Sequence, residues 1–322
     1  MKFRIPRQLL RHSALAAVCL AAGLAAAQQP IKFILPVAAA SGVDTITRAA
    51  SPALAKALGA PVVIDNQPGA GGILGTTAMV KSPPDGHTLS VVSNNHVIYP
   101  SVYKSIPFDP VNDITPIAIV GFTPIVLVVN PKVPAKNLQE LVALMKAKPD
   151  EMTYGSSGNG TILHLAAAMF VEQAGVKARH IPYKGVGPMI TDLLGGQIDF
   201  VASSLPSVQQ HVKNNALRIV AIGTAARNAA APDVPTAVEQ GMPNYVVDAW
   251  FAVIGPAKMK EADVKRINAA VREAFATPDV IEAMAKQGNT IKVSTPEDAA
   301  RHIRAELARY AAIVKQIGLE PQ

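Results

Sequence analysis

Four times in this chain a short apolar segment runs into a loop of small residues that opens a helical pattern. Residues 31–35 lead into Pro36-Val37-Ala38-Ala39-Ala40-Ser41-Gly42-Val43-Asp44, and residues 62–65 lead into Asn66-Gln67-Pro68-Gly69-Ala70-Gly71-Gly72. Thr153-Tyr154 leads into Gly155-Ser156-Ser157-Gly158-Asn159-Gly160-Thr161, and residues 181–183 lead into Lys184-Gly185-Val186-Gly187-Pro188. Short strands alternating with helices argue for parallel sheets assembled from βαβ units. A helix N-terminus carries unpaired N–H groups and a partial positive charge, and small residues let an anion reach that backbone. Four such junctions in one chain point to the capture of a small anion.

The first residues have the layout of a secretory signal. Lys2, Arg4, Arg7 and Arg11 form a basic segment, residues 14–24 are apolar, and Ala25-Ala26-Ala27 offers small residues for cleavage. The apolar stretch is shorter than the roughly 20 residues that span a bilayer. The only cysteine, Cys19, falls inside this segment, so the mature chain has no thiol chemistry. Removing residues 1–27 of the 322 leaves 295 and takes away four positive charges, so the net charge falls from +7 to +3. With no Lys/Arg stripe interleaved with aromatics, nucleic-acid binding is not expected. The expectation is a periplasmic protein, monomeric and without cofactor or metal, long enough for two lobes.

Further strands are expected at 89–92, 125–129, 199–202, 218–222 and 251–254, and helices at 43–58, 137–146, 161–173, 189–194, 261–275 and 296–316. Ser41 with Asp44 three residues on has the pattern of a helix cap, and Thr295-Pro296 puts proline at a first helical position. Glycines 59, 175 and 195 are placed to end helices. Composition shifts at Asn130-Pro131 and again at Gly255-Pro256, each after a β-rich run. The expected division is 1–27 signal, 28–124 plus 256–322 lobe one, and 131–249 lobe two, with crossover strands at 125–130 and 250–255.

Three catalytic or cofactor patterns come close and miss. In Gly69-Ala70-Gly71-Gly72-Ile73-Leu74-Gly75 a dinucleotide fingerprint would need glycine at Leu74. In Gly155-Ser156-Ser157-Gly158 a nucleophile elbow would need glycine at Asn159. The seven histidines form no metal-ligand spacing. The alternative function that survives is a secreted α/β hydrolase using Ser156 or Ser157 with His164, one turn inside the following helix. Trp250, the only tryptophan, belongs either to the core or to the cleft wall.

In combination these segments resemble a known family. The residues are Pro36 to Asp44 with Arg48, Asp65-Asn66-Gln67-Pro68-Gly69-Ala70-Gly71-Gly72, Pro84-Asp85-Gly86, Asn95-His96, Pro107-Phe108-Asp109-Pro110, Tyr154 to Gly160, His164-Leu165-Ala166, Pro182-Tyr183-Lys184-Gly185, Asp192 to Asp199, Pro232-Asp233-Val234-Pro235-Thr236 and Trp250-Phe251. Over about 31–319 the chain resembles the extracytoplasmic solute receptors of tripartite tricarboxylate transporters, the Bug family. The resemblance implies a periplasmic binding protein of two α/β lobes joined by two crossover strands, closing on a small carboxylate like a flytrap, with no enzymatic activity. It also implies partners: the membrane subunits of such a transporter or a sensor ectodomain.

Carried over by position, the carboxylate pocket would be Ala40, Ser41 and Asp44 facing Ser156, Ser157, Gly158, Asn159 and Thr161. Gly69, Ala70 and Asn95 would line the first lobe's wall, and His164, Tyr183, Lys184, Gly185 and Ser203 the second's. The chain departs from the family where Ala40-Ser41 replaces a double glycine and where Ser203-Ser204 stands in place of a frequent Asp-Asn. Without an acidic residue at 203–204, and with Lys184 nearby, an unsubstituted mono- or dicarboxylate, including an aromatic one, is expected rather than an amino acid.

Overall fold

In the computed structural model, which describes residues 29–321, each of the four junctions folds as strand, turn and helix. Strand β1 (Ile31–Leu35) feeds helix α1 (Gly42–Leu58), and β2 (Val62–Asn66) feeds a 3₁₀ turn (Ala70–Gly72) and α2 (Ile73–Val80). Strand β5 (Thr153–Ser156) feeds α5 (Ile162–Gln173), and β6 (Arg179–Pro182) feeds α6 (Val186–Gly195). The expected caps form: Ser41 Oγ accepts from the Asp44 N–H at 3.3 Å, and Thr295 caps the helix that begins at Pro296. Gly59 ends α1 in the left-handed region at φ 66°. The glycine expected to end a helix at 195 lies inside α6, whose cap is Gly196, and α5 is capped by Ala174 with Gly175 just beyond it. The expected signal segment and Cys19 lie outside the described residues.

One strand organises both sheets. Residues 125–129 are only the end of β4, which runs 16 residues, Ile114–Val129. Its first part pairs antiparallel with β9 (Asp248–Pro256) and with the short β10 (Thr290–Ile291). Beyond β9 lie β3 (Thr88–Ser93), β1 and β2, with β1 parallel to both of its neighbours. From Ile125 onward β4 pairs instead with β7 (Phe200–Ser204) and β8 (Arg218–Ile222), and β7 continues through β5 to β6 in parallel. Residues 250–255 form the middle of β9 and pair with β3 and with the first part of β4. The return from the second sheet falls earlier, where the Val247 N–H donates to the Gly223 carbonyl at 2.8 Å.

Pro116, Gly121 and Pro124 hide the first half of β4 from a strand-pattern reading, because proline and glycine weaken a ladder. The register against β9 shifts between Pro116 and Ala118 and between Ile119 and Gly121, so irregularities there accommodate Pro116 and Gly121, while Pro124 pairs in register with Asp248.

The helices cover the sheets as a βαβ chain requires. Helix α1 packs on α8 (Glu261–Phe275) over a core containing Phe33, Leu35, Ile46, Leu54 and Val271, and α9 (Pro278–Lys286) closes its end. Around the second sheet, Leu165, Phe170, Met189 and Leu193 pack on Val201 and Phe200. Helix α4 (Leu138–Ala147) and α7 (Leu205–Lys213) complete that side. The long α10 (Pro296–Gln316) packs against both β4 and α3 (Asn95–Val102).

Trp250 belongs to the core. It is 1% exposed, and its indole N–H donates to Glu306 Oε2 on α10 at 3.0 Å, while Glu306 Oε1 accepts from Arg309 at 3.1 Å. Replacing Glu306 with alanine would leave a buried indole N–H unpaired. Glu306→Ala is expected to cost about 2–3 kcal/mol, and Glu306→Gln, which keeps an acceptor, distinctly less, as read by thermal unfolding.

Candidate functional site

The loops after β1, β2, β5 and β6 converge on one cavity of about 510 Å³ between the two sheets. From the first lobe it is lined by Ser41, Gly69, Ala70 and Asn95, together with Pro36, Val37, Ala38, Pro68, Gly71 and Gly72. From the second lobe come Ser157, Gly158, Thr161, Tyr183, Lys184, Gly185 and Val186. The lining residues that the motif reading left out lie on the same loops as those it named.

Asp44 turns away from the cavity. Its buried carboxylate accepts from the Ala40 N–H at 3.0 Å, from Arg48 Nε at 2.9 Å and from Asn66 Nδ2 at 3.0 Å. Arg48 also donates to Asn66 Oδ1 at 2.8 Å, and Asn66 reaches the Val37 carbonyl at 3.2 Å. Ala40 sits in the left-handed region at φ 62°, a conformation that costs a non-glycine residue about 1 kcal/mol. The Asp44 bond holds it there. This network therefore shapes the loop whose following residues, Gly42 and Val43, open α1. Their N–H groups have no partner within the helix, because the first intrahelical bond is made by the Thr45 N–H to the Ser41 carbonyl.

On the second lobe Thr161 Oγ1 caps α5 by accepting from the His164 N–H at 3.3 Å, and it takes a hydrogen bond from Ser157 Oγ at 3.1 Å. His164 faces its loop: Nδ1 accepts from the Gly160 N–H at 3.1 Å. Its ring stacks on His180 with centroids 3.8 Å apart, and Tyr154 stacks on His180 at 5.0 Å. Burial drives both imidazoles down, His164 to about 3, helped by the adjacent His180, and His180 to about 4. Both rings are neutral at physiological pH. Tyr183 donates to Asp192 at 2.8 Å, and burial, then the Asp192 carboxylate, pushes its phenol up to about 12.

Asn95, on α3 of the first lobe, bridges the two halves. Its Oδ1 accepts the Ile162 N–H at the start of α5 at 2.7 Å. Tyr103 donates to the Asn159 carbonyl at 3.2 Å, and Ser207 to the Ala40 carbonyl at 3.4 Å. Ala40, Asp44, Ser156, Asn159 and His164 thus stand behind the cavity wall. Ser203, fully buried, also stands outside the lining; its neighbour Ser204 is the one that approaches α1, since a Cβ built on Gly42 would lie 3.3 Å from Ser204 Oγ. Alternation along β7 sends the two serines to opposite faces.

The hydrolase alternative finds no machinery. Ser157, which lines the cavity, bonds to Thr161 rather than to a base. Ser156 contacts His180 Nε2 at 2.6 Å, not His164, and it is fully buried away from the cavity. No cluster of three candidate metal ligands occurs among the described residues.

Two α/β sheets sharing a long strand, with loops and helix N-termini converging between them, define a two-lobe periplasmic binding protein. The chain belongs to the tripartite tricarboxylate transporter family receptors (TctC), whose profile matches residues 46–319. It is 36% identical over 292 residues to Protein BugT of Bordetella pertussis, covering 90% of each chain. The solved periplasmic binding protein BugD superposes with a TM-score of 0.87 at 28% identity, covering 91% of this chain and 99% of that one. R. palustris Rpa4515, solved with adipate, gives 0.88 at 27% identity, covering 91% and 98%. MatC from Rhodopseudomonas palustris, solved with malate, gives 0.84 at 27% identity, covering 88% and 98%. The chain is accordingly a solute-binding receptor and not an enzyme.

Proposed function

We propose that this receptor captures a small organic acid by its carboxylate between its two lobes. We further propose that it acts as a monomer, in the periplasm after cleavage of residues 1–27, and passes the ligand to transporter membrane subunits or a sensor ectodomain. The observation that carries the reading is the convergence of α1 and α5, whose N-termini come from opposite lobes and meet at the same cleft. A carboxylate there meets unpaired N–H groups and two favourable dipoles at once. Lys184, an exposed cation on the cavity wall, favours an acid further. The adipate and malate carried by the structural neighbours are of the same chemical class.

Contacts made to both lobes favour the closed arrangement, so binding and closure are one equilibrium. Purified protein, unfolded and refolded to strip carried-over ligand, should show a raised melting temperature with one subset of mono- and dicarboxylates. At 100 times its Kd a ligand stabilises by about 2.7 kcal/mol, a shift of several degrees. A panel in which only amines or neutral sugars shift the melt would overturn the reading.

A further inference from the structure

We infer that the carboxylate is seated deeper than the main cavity, on the cleft floor, where the Thr123 hydroxyl donates to it; this rests on the carboxylate reading above. Behind the large cavity lies a second space of about 60 Å³ that shares Ser41, Asn95 and Ser157 with it. One water needs roughly 15 Å³ of such space, so a carboxylate group fits. The floor is formed by the opening residues of both helices, Gly42 and Val43 of α1 and Ile162 and Leu163 of α5. The Ile162 N–H is already taken by Asn95, whereas the N–H groups of Gly42, Val43 and Leu163 precede the first intrahelical bonds, made by Thr45 and Leu165.

Thr123 supplies the independent observation. It lines this space, it is 1% exposed, and its Oγ1 has no hydrogen-bond partner. Buried hydroxyls are rarely left unpaired, and one facing a lined space calls for a ligand atom or water. Opposite it Ser204 Oγ, paired with Ser207 Oγ at 2.7 Å, can still turn toward the same group. No lysine, arginine, histidine, aspartate or glutamate lines the space, so nothing there repels an anion and the helix ends supply the attraction.

The position has a consequence for closure. Thr123 pairs with Ala249 in the first sheet, and Ile125, two residues on and on the same face, pairs with Ser204 in the second. A ligand bonded to Thr123 therefore holds β4 where that strand leaves one lobe for the other.

The test compares Thr123→Val, which keeps the shape and loses the hydroxyl, with Thr123→Ser, which keeps the hydroxyl. Adipate and malate serve as probes in calorimetric titrations of refolded protein. Thr123→Val should bind the better probe about 10- to 100-fold more weakly, with a ligand-free melting temperature equal to or slightly above that of the parent. Thr123→Ser should bind within about threefold of the parent, because the donor remains. Parent-like affinity in Thr123→Val, or equal weakening in both variants, would overturn the seat. Failure of every acid in the panel to bind the parent would instead overturn the carboxylate reading, and the seat with it.

Discussion

Gly160→Ala is expected to weaken ligand binding about 10- to 100-fold while the chain stays folded. Gly160 lies in the loop before α5 and occupies the left-handed region at φ 68°. A Cβ added there would lie 2.8 Å from Val102 Cβ, across the cleft on α3, and closer still to one of its methyls. Val102 is itself buried and β-branched, so it has little freedom to yield. The clash exists only when the lobes are together. Overpacking of this kind costs roughly 1–3 kcal/mol, and here the cost falls on the closed state alone. A matched control separates closure from backbone strain. Gly175, just past α5, has φ 61° and open space around it, so Gly175→Ala carries the same left-handed penalty without touching the other lobe. Calorimetry on the two variants should show lost affinity in the first and retained affinity in the second. Equal affinities would mean that the lobes do not need this approach.

Acid should destabilise the protein well before its carboxylates titrate. Burial lowers His96 to about 4 and His164 to about 3, so both are neutral in the folded state. Each is at least 97% buried and committed to a neutral partner arrangement. His96 Nε2 donates to the Pro110 carbonyl at 2.7 Å, and its ring stacks on Phe108, while His164 accepts from Gly160. In the unfolded chain both take up protons below about pH 6.5. The stability they contribute is therefore fully present above that pH and is lost as pH falls from about 6.5 toward the folded values. Between pH 6.5 and 5 the loss is about 1.6 kcal/mol per histidine, or about 3 kcal/mol for the pair, against a total of roughly 5–15 kcal/mol. Melting temperature should drop by roughly 10 °C over that interval. His96→Gln should flatten the pH slope by about a third, because His164 and the stacked His180, also lowered by burial, keep the rest. A melting temperature constant from pH 7 to 5 would show that neither imidazole resists protonation.

The parts of this protein readable from sequence are those written in local chemistry. The junctions at 36–44 and 155–161 combine a strand, small residues and a capping hydroxyl, and each element is specified by its own few residues. The start of β4 was not readable because Pro116, Gly121 and Pro124 speak against a strand and only the pairing with β9 overrides them. Helix α3 carries Pro100 and was hidden for a similar reason; its side chains, packed against α10, make it helical. Within the site, the loop residues could be named from their motifs. Thr123 could not, since it comes beside Ser204 only through the pairing of β4 with β7, from strands far apart in the chain. The same limit explains Asp44, whose motif marks it as part of the site while its partners, Arg48 and Asn66, make it a brace for the loop.

Capture of an acid by its carboxylate is tested most directly by removing the carboxylate's charge and nothing else. Refolded protein would be titrated calorimetrically with the best-binding acid and with its primary amide. The account predicts one acid bound per chain and an amide at least about 100-fold weaker, because the helix ends and the hydroxyl then face a neutral group and an unwanted donor. An amide that binds as tightly as the acid would contradict it.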